Sequence, residues 1–121
     1  MCGFFRVYLT LVMMQVNEIE WSEAEKEVAK AAFDMAYKRE IKALIDEVRK
    51  QSSAIVEIDD IWRLHDFLSA RRHNIDGKYD YEYSGLIFVF ASLVKDGWLN
   101  LNELDGLNTN KLIKIAAIAR I

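Results

Sequence analysis

The chain has 121 residues, 52% of them hydrophobic and 29% charged, which fits one domain with its own core and excludes a disordered chain. Sixteen Lys and Arg against 19 Asp and Glu leave a net charge of -3, so the basic excess of a dedicated nucleic-acid binder is missing. The single cysteine, Cys2, has no partner for an internal disulfide, and points to a reducing, cytoplasmic compartment.

Proline is absent, where average usage would give about six. Proline removes a helical donor and clashes with the preceding turn, so a chain without it, and with five glycines, reads as long helices with few turns. Residues Phe4 to Val16 are mostly apolar, with Arg6 the sole charge. The run falls short of the roughly 20 residues of a membrane span, and lacks the basic region and small-residue cleavage site of a signal peptide. Residues 1–20 are read as an extension ahead of a single domain at 21–121, with Met13 or Met14 the effective start.

The first helix should begin at Ser22, which with Glu25 forms a capping box. Val28, Ala32, Phe33, Ala36, Tyr37, Ile41, Leu44, Ile45 and Val48 then mark one face of a 3.6-residue period. Ser53 is read as the cap of a second helix, from about Ala54 to Asn74, in preference to a strand over Ala54–Ile58. A third should run from after Asp80 to Asp96, with Leu86 to Ala91 buried on every side. A short helix after Asn100, stopped by Gly106, and a last one from Asn108 complete an all-α fold.

A helix of about 30 residues spans roughly 45 Å, whereas a globule of this size is only about 35 Å across. The first helix must therefore overhang. We expect a long helical hairpin, the stalk (21–76), attached to a small three-helix head (77–121), with the stalk pairing two copies into a homodimer that covers its apolar face.

Catalytic constellations are not found. His65 and Asp66 diverge by about 100° on a helix and cannot form a triad with Ser69, and His65 and His73 are about 12 Å apart along it, too far to share a metal. No enzyme activity, cofactor or metal is expected. Arg71-Arg72-His73 is the only basic cluster worth weighing as a nucleic-acid contact, and cations closing a helix are the simpler reading.

The second helix carries two stripes. Ile61, Leu64, Leu68 and Ile75 form a packing seam; Asp59, Trp62, His65, Asp66, Ser69 and His73, with Arg72 at the edge, form a face suited to a protein interface, where tryptophan and arginine dominate. The alternative places Trp62 in the core.

The stretch Ile58 to Asp80, with Asp59-Asp60-Ile61-Trp62, His65-Asp66 and Arg71-Arg72-His73 in place, resembles the signature of the cyanobacterial fluorescence recovery proteins. Trp21-Ser22, Ala36-Tyr37-Lys38-Arg39-Glu40 and Ile87-Phe88-Val89-Phe90-Ala91 resemble that family in the same order. The resemblance implies a non-enzymatic, dimeric regulator that binds the photoactivated orange carotenoid protein through its C-terminal domain. Such a regulator speeds the red-to-orange return and the detachment from the phycobilisome, in the cytoplasm or at the thylakoid surface. It also implies Trp62, His65, Asp66 and Arg72 as dimer and partner surface, which the seam residues Ile61 and Leu64 adjoin, with Phe88 and Lys114 as head contacts. The competing readings are a dimer of the same fold with another protein partner, and a weak nucleic-acid-binding dimer.

Overall fold

Helix α1, Glu23–Ser53, is 31 residues long, about 46 Å at 1.5 Å per residue. The computed structural model describes residues 20–121; Cys2 and the apolar run from Phe4 lie outside them. The expected capping box opens α1: the Glu25 amide donates to Ser22 Oγ at 3.1 Å and the Ser22 amide to Glu25 Oε1 at 3.0 Å. Ser53, expected to open the next helix, instead closes this one, its hydroxyl donating to the Arg49 carbonyl.

Helix α2 spans Ile58–Lys78, four residues later than the expected start. Asp60 is the reason. Its carboxylate accepts the amides of Val56 and Glu57, each at 3.0 Å, and two orphan amides tied to one anion outweigh a lone serine cap. Those bonds, chiefly from Glu57, hold the Asp60 carboxyl below its ordinary range. Residues 54–57 form a turn, and the elements among the described residues are helical throughout.

Helix α3, Leu86–Lys95, also starts later than expected. Tyr79 and Tyr81 stand outside any helix, and with Tyr83 they place three rings against α1. Phe33 meets Tyr79 and Tyr81 edge-on at 5.5 and 4.9 Å, and Trp21 meets Tyr83 at 5.7 Å. Ring packing worth about 1 kcal/mol per pair overrides the helical pattern here. A 3-10 turn, Leu101–Leu104, and α4, Thr109–Ala119, follow as expected. The α4 cap is Asn108, whose side chain accepts the Lys111 amide at 2.8 Å. Gly106 separates the two at φ 112°, and a Cβ there would lie 2.7 Å from Val28 Cγ2; only glycine fits.

The core joins Trp21, Ala29, Ala32 and Ala36 of the α1 end to Leu86, Ile87, Phe90, Ala91 and Leu93 of α3 and to Leu99, Leu104, Leu107 and Ile115 beyond. The head is thus not made from residues 77–121 alone, contrary to expectation; the first half of α1 is one of its walls, its alanine stripe and Trp21 joining the same core. Beyond Glu40, α1 buries nothing completely, and α2 buries only Ile75. These outer parts form the overhanging stalk.

Two polar clamps fasten the head to α1. Lys111, 1% exposed, donates to Glu25 Oε1 and Oε2 at 3.0 and 2.9 Å and to the Glu20 carbonyl at 2.8 Å, its ammonium 4.5 Å from the Trp21 ring centre. Burial pushes the Glu25 carboxyl up, but amide donors from Ser22 and Asn108 and the Lys111 bridge outweigh it and hold the group at about 2. Arg39 grips Glu103 with two parallel bonds of 2.8 and 2.7 Å and donates to the Trp98 carbonyl. That pairing, with the Asn100 amide, brings Glu103 down to about 2.

Candidate docking site

Helix α2 positions the polar face by its period. Residues three, four and seven apart share a side, which aligns Asp59, Trp62, Asp66, Ser69, His73 and Asp76. Among the described residues they stand open to solvent. Trp62 is 56% exposed, and the side chains of His65, Asp66 and Arg72 are 71%, 82% and 85% exposed. A tryptophan so open is not core, and the alternative raised by spacing is set aside.

The local contacts leave these groups exchangeable. Trp62 and His65 meet edge-on at 6.5 Å, His65 Nδ1 lies 3.3 Å from Asp66 Oδ1, and Arg72 Nε lies 3.6 Å from Asp76 Oδ2. Exposed i,i+4 pairs contribute only a few tenths of a kcal/mol. Arg72 can therefore leave Asp76 for an incoming carboxylate at little cost, and the fork of its guanidinium suits one.

The apolar stripe beside it is a correction to expectation. Of Ile61, Leu64, Leu68 and Ile75, the single chain buries only Ile75; Ile61 and Leu68 are exposed and Leu64 half-buried. Val56, Ile58 and, on α1, Ile45 extend the uncovered surface. A helix facing one other helix has only one side covered, so most of this stripe stays open to water.

Three open clefts continue the face into the head. The first, about 480 Å³, is lined by His65, Leu68, Ser69, Arg72, His73 and Asp76. His73 also lines the second, about 470 Å³, with Lys78, Phe88, Val89 and Ser92. Phe88 and Ser92 border the third, about 340 Å³, with Ala91, Lys95, Ile118 and Ile121. Phe88 thus stands at a junction, half-buried where total burial was expected. Lys114, expected as a head contact, is 1% exposed; the inward turn of α4 makes it part of the head interior. Periodicity alone could not reveal the two head clefts, because they arise where α2 and α4 meet α3.

Among the described residues no group of three His, Cys, Asp or Glu side chains could hold a metal, and no helix is long and apolar enough to cross a membrane.

A family model described as the photoprotection regulator fluorescence recovery protein matches residues 21–119. The chain belongs to the fluorescence recovery protein family. The match begins at Trp21, the first residue of the head core. The fluorescence recovery protein of Synechocystis sp. (strain ATCC 27184 / PCC 6803 / Kazusa) is 51% identical over 109 residues, 90% of this chain and 100% of that protein. The solved structure of the Fremyella diplosiphon fluorescence recovery protein matches with a TM-score of 0.83 at 61% identity, covering 84% of this chain and 100% of the other. That of the Synechocystis sp. PCC 6803 protein matches with 0.82 at 52% identity and the same coverage. Membership of the fluorescence recovery protein family makes this chain a regulator of photoprotection.

Proposed function

We propose that the protein acts as a homodimer on the photoactivated orange carotenoid protein, docking on its C-terminal domain, speeding its red-to-orange return and easing its release from the phycobilisome. The observation that carries the reading is the open stripe of Trp62, His65, Asp66 and Arg72 beside an uncovered apolar seam. A second copy laid over Ile58, Ile61, Leu64 and Leu68 removes that seam from water, at about 25 cal/mol per Å². The polar stripe and the clefts at His73 and Phe88 then face the partner.

The chemistry required is modest. A carotenoid protein whose two domains have parted recloses slowly, because the halves meet at low effective concentration. A scaffold holding one half ready for the other raises that concentration without a covalent step. It must bind the closing arrangement more tightly than the open one, since equal affinity shifts nothing. No reacting residue is needed from this chain.

The test is direct. Purified protein is mixed with light-activated orange carotenoid protein and the return from red to orange is followed in the dark. Acceleration at substoichiometric protein supports the reading, and a rate unchanged at every concentration refutes it.

A further inference from the structure

We infer that Glu40 is a positioning residue for docking: a buried carboxylate that fixes the stalk face of α2 at a set spacing from the head cleft around Phe88. The inference rests on the docking role proposed above. Glu40 lies on α1 one turn beyond Ala36, and its side chain is 1% exposed. Three donors from one short segment converge on it. Arg71 Nη2 donates to Oε2 at 3.1 Å; Lys78 Nζ donates to Oε2 at 2.9 Å and lies 2.7 Å from Oε1; the Tyr79 hydroxyl donates to Oε1 at 2.8 Å. Burial, and then the bond to Glu40, push the Tyr79 hydroxyl well above its usual range, so it remains a donor.

This cluster is the polar part of what holds the end of α2, beside Ile75, the one residue of that helix buried completely, and the Tyr79 ring against Phe33 and Tyr37. Stability by itself does not call for such a device. Apolar groups of the same volume hold helices together as well as a buried ion cluster does, and here the fit is incomplete, because Arg71 Nε finds no acceptor among the described residues. What an ion cluster supplies is direction. Each donor must reach a given oxygen, so the helix cannot slide or roll without breaking a bond to a buried charge.

The parts held are docking parts. Arg72 and His73 follow Arg71 directly, and Lys78 itself lines the cleft with Phe88, Val89 and Ser92. Releasing Glu40 frees both halves of the surface to move apart. With it in place a partner spanning the stalk and the head meets an aligned surface and loses less entropy on binding.

The experiment reads alignment and docking separately. In a Cys2→Ser chain, spin labels on Ala70→Cys in α2 and Asn110→Cys in α4, diluted with unlabelled protein, report the stalk-to-head distance within one chain. The parent should give one narrow distance. Glu40→Gln, and the milder Tyr79→Phe, should broaden it with helicity and association state retained; if Glu40→Gln does not fold, Tyr79→Phe decides alone. Against the activated carotenoid protein, each variant should raise the concentration for half-maximal acceleration about fivefold, the factor one hydrogen bond carries, with the saturating rate kept. An unbroadened distance in Tyr79→Phe overturns the clamp, and broadening without a change in half-maximal concentration overturns its part in docking. A parent protein inert toward the carotenoid protein fails the proposed function, while the distances still decide the clamp.

Discussion

Replacing Lys111 by methionine tests the clamp between α4 and the start of α1. Methionine keeps most of the apolar stem and removes the ammonium, with its bonds to Glu25 and the Glu20 carbonyl and its place over Trp21. Breaking one side of a buried pair costs about 3–5 kcal/mol, because the other charge stays buried. Here the Ser22 and Asn108 amides still donate to Glu25, so the low end, about 3 kcal/mol, is expected. The acid side bounds what all of Glu25's partners contribute together, the Ser22 and Asn108 amides first and Lys111 after them. A carboxyl held at about 2 instead of 4.5 when folded contributes at most about 3 kcal/mol, at 1.36 kcal/mol per unit. The folded value is depressed, so that stability is fully present above about pH 4.5 and is lost as pH falls toward 2. Urea unfolding followed by far-ultraviolet circular dichroism, at one fixed protein concentration, should place Lys111→Met about 3 kcal/mol below the parent at pH 7. The gap should narrow as pH falls from about 4.5 toward 2, where the parent's folded Glu25 also takes a proton. Adding Glu25→Gln to Lys111→Met should recover part of the loss, a coupling of about 1–3 kcal/mol. A loss under 1 kcal/mol at pH 7, or a gap independent of pH, refutes the account.

Gly106→Ala should cost about 2–3 kcal/mol, from the left-handed backbone and the contact with Val28; Val28→Ala should restore only the contact part, read by the same unfolding curves. Ile61→Glu should yield folded monomers, because the residue is exposed in the lone chain and only a covering copy would bury the charge. Light scattering after size exclusion distinguishes this from an unchanged dimer. Arg72→Leu should leave the helical spectrum intact and slow the red-to-orange return at subsaturating protein by about tenfold or more, as loss of a charged hydrogen bond of about 1.5–3 kcal/mol requires; an unaltered return takes Arg72 out of the docking surface.

Much of this molecule is local physics. The Ser22–Glu25 box, the stop at Gly106 and the Asn108 cap depend on residues within one turn of each other, so with the absence of proline the string of residues alone specifies an all-helical chain and the starts of α1 and α4. The stripe from Trp62 to Arg72 was equally legible, because a 3.6-residue period aligns it whatever else the chain does. Tertiary structure decided what pairs distant residues. Asp60 took the α2 start from Ser53, and the rings of Tyr79, Tyr81 and Tyr83 held their segment against α1 in place of another helical turn. Only the packed head turned Lys114 inward, opened the clefts at Phe88 and brought Glu40 to Arg71, Lys78 and Tyr79. Those contacts join positions more than thirty residues apart, where no periodicity within a helix carries information about which side chains meet.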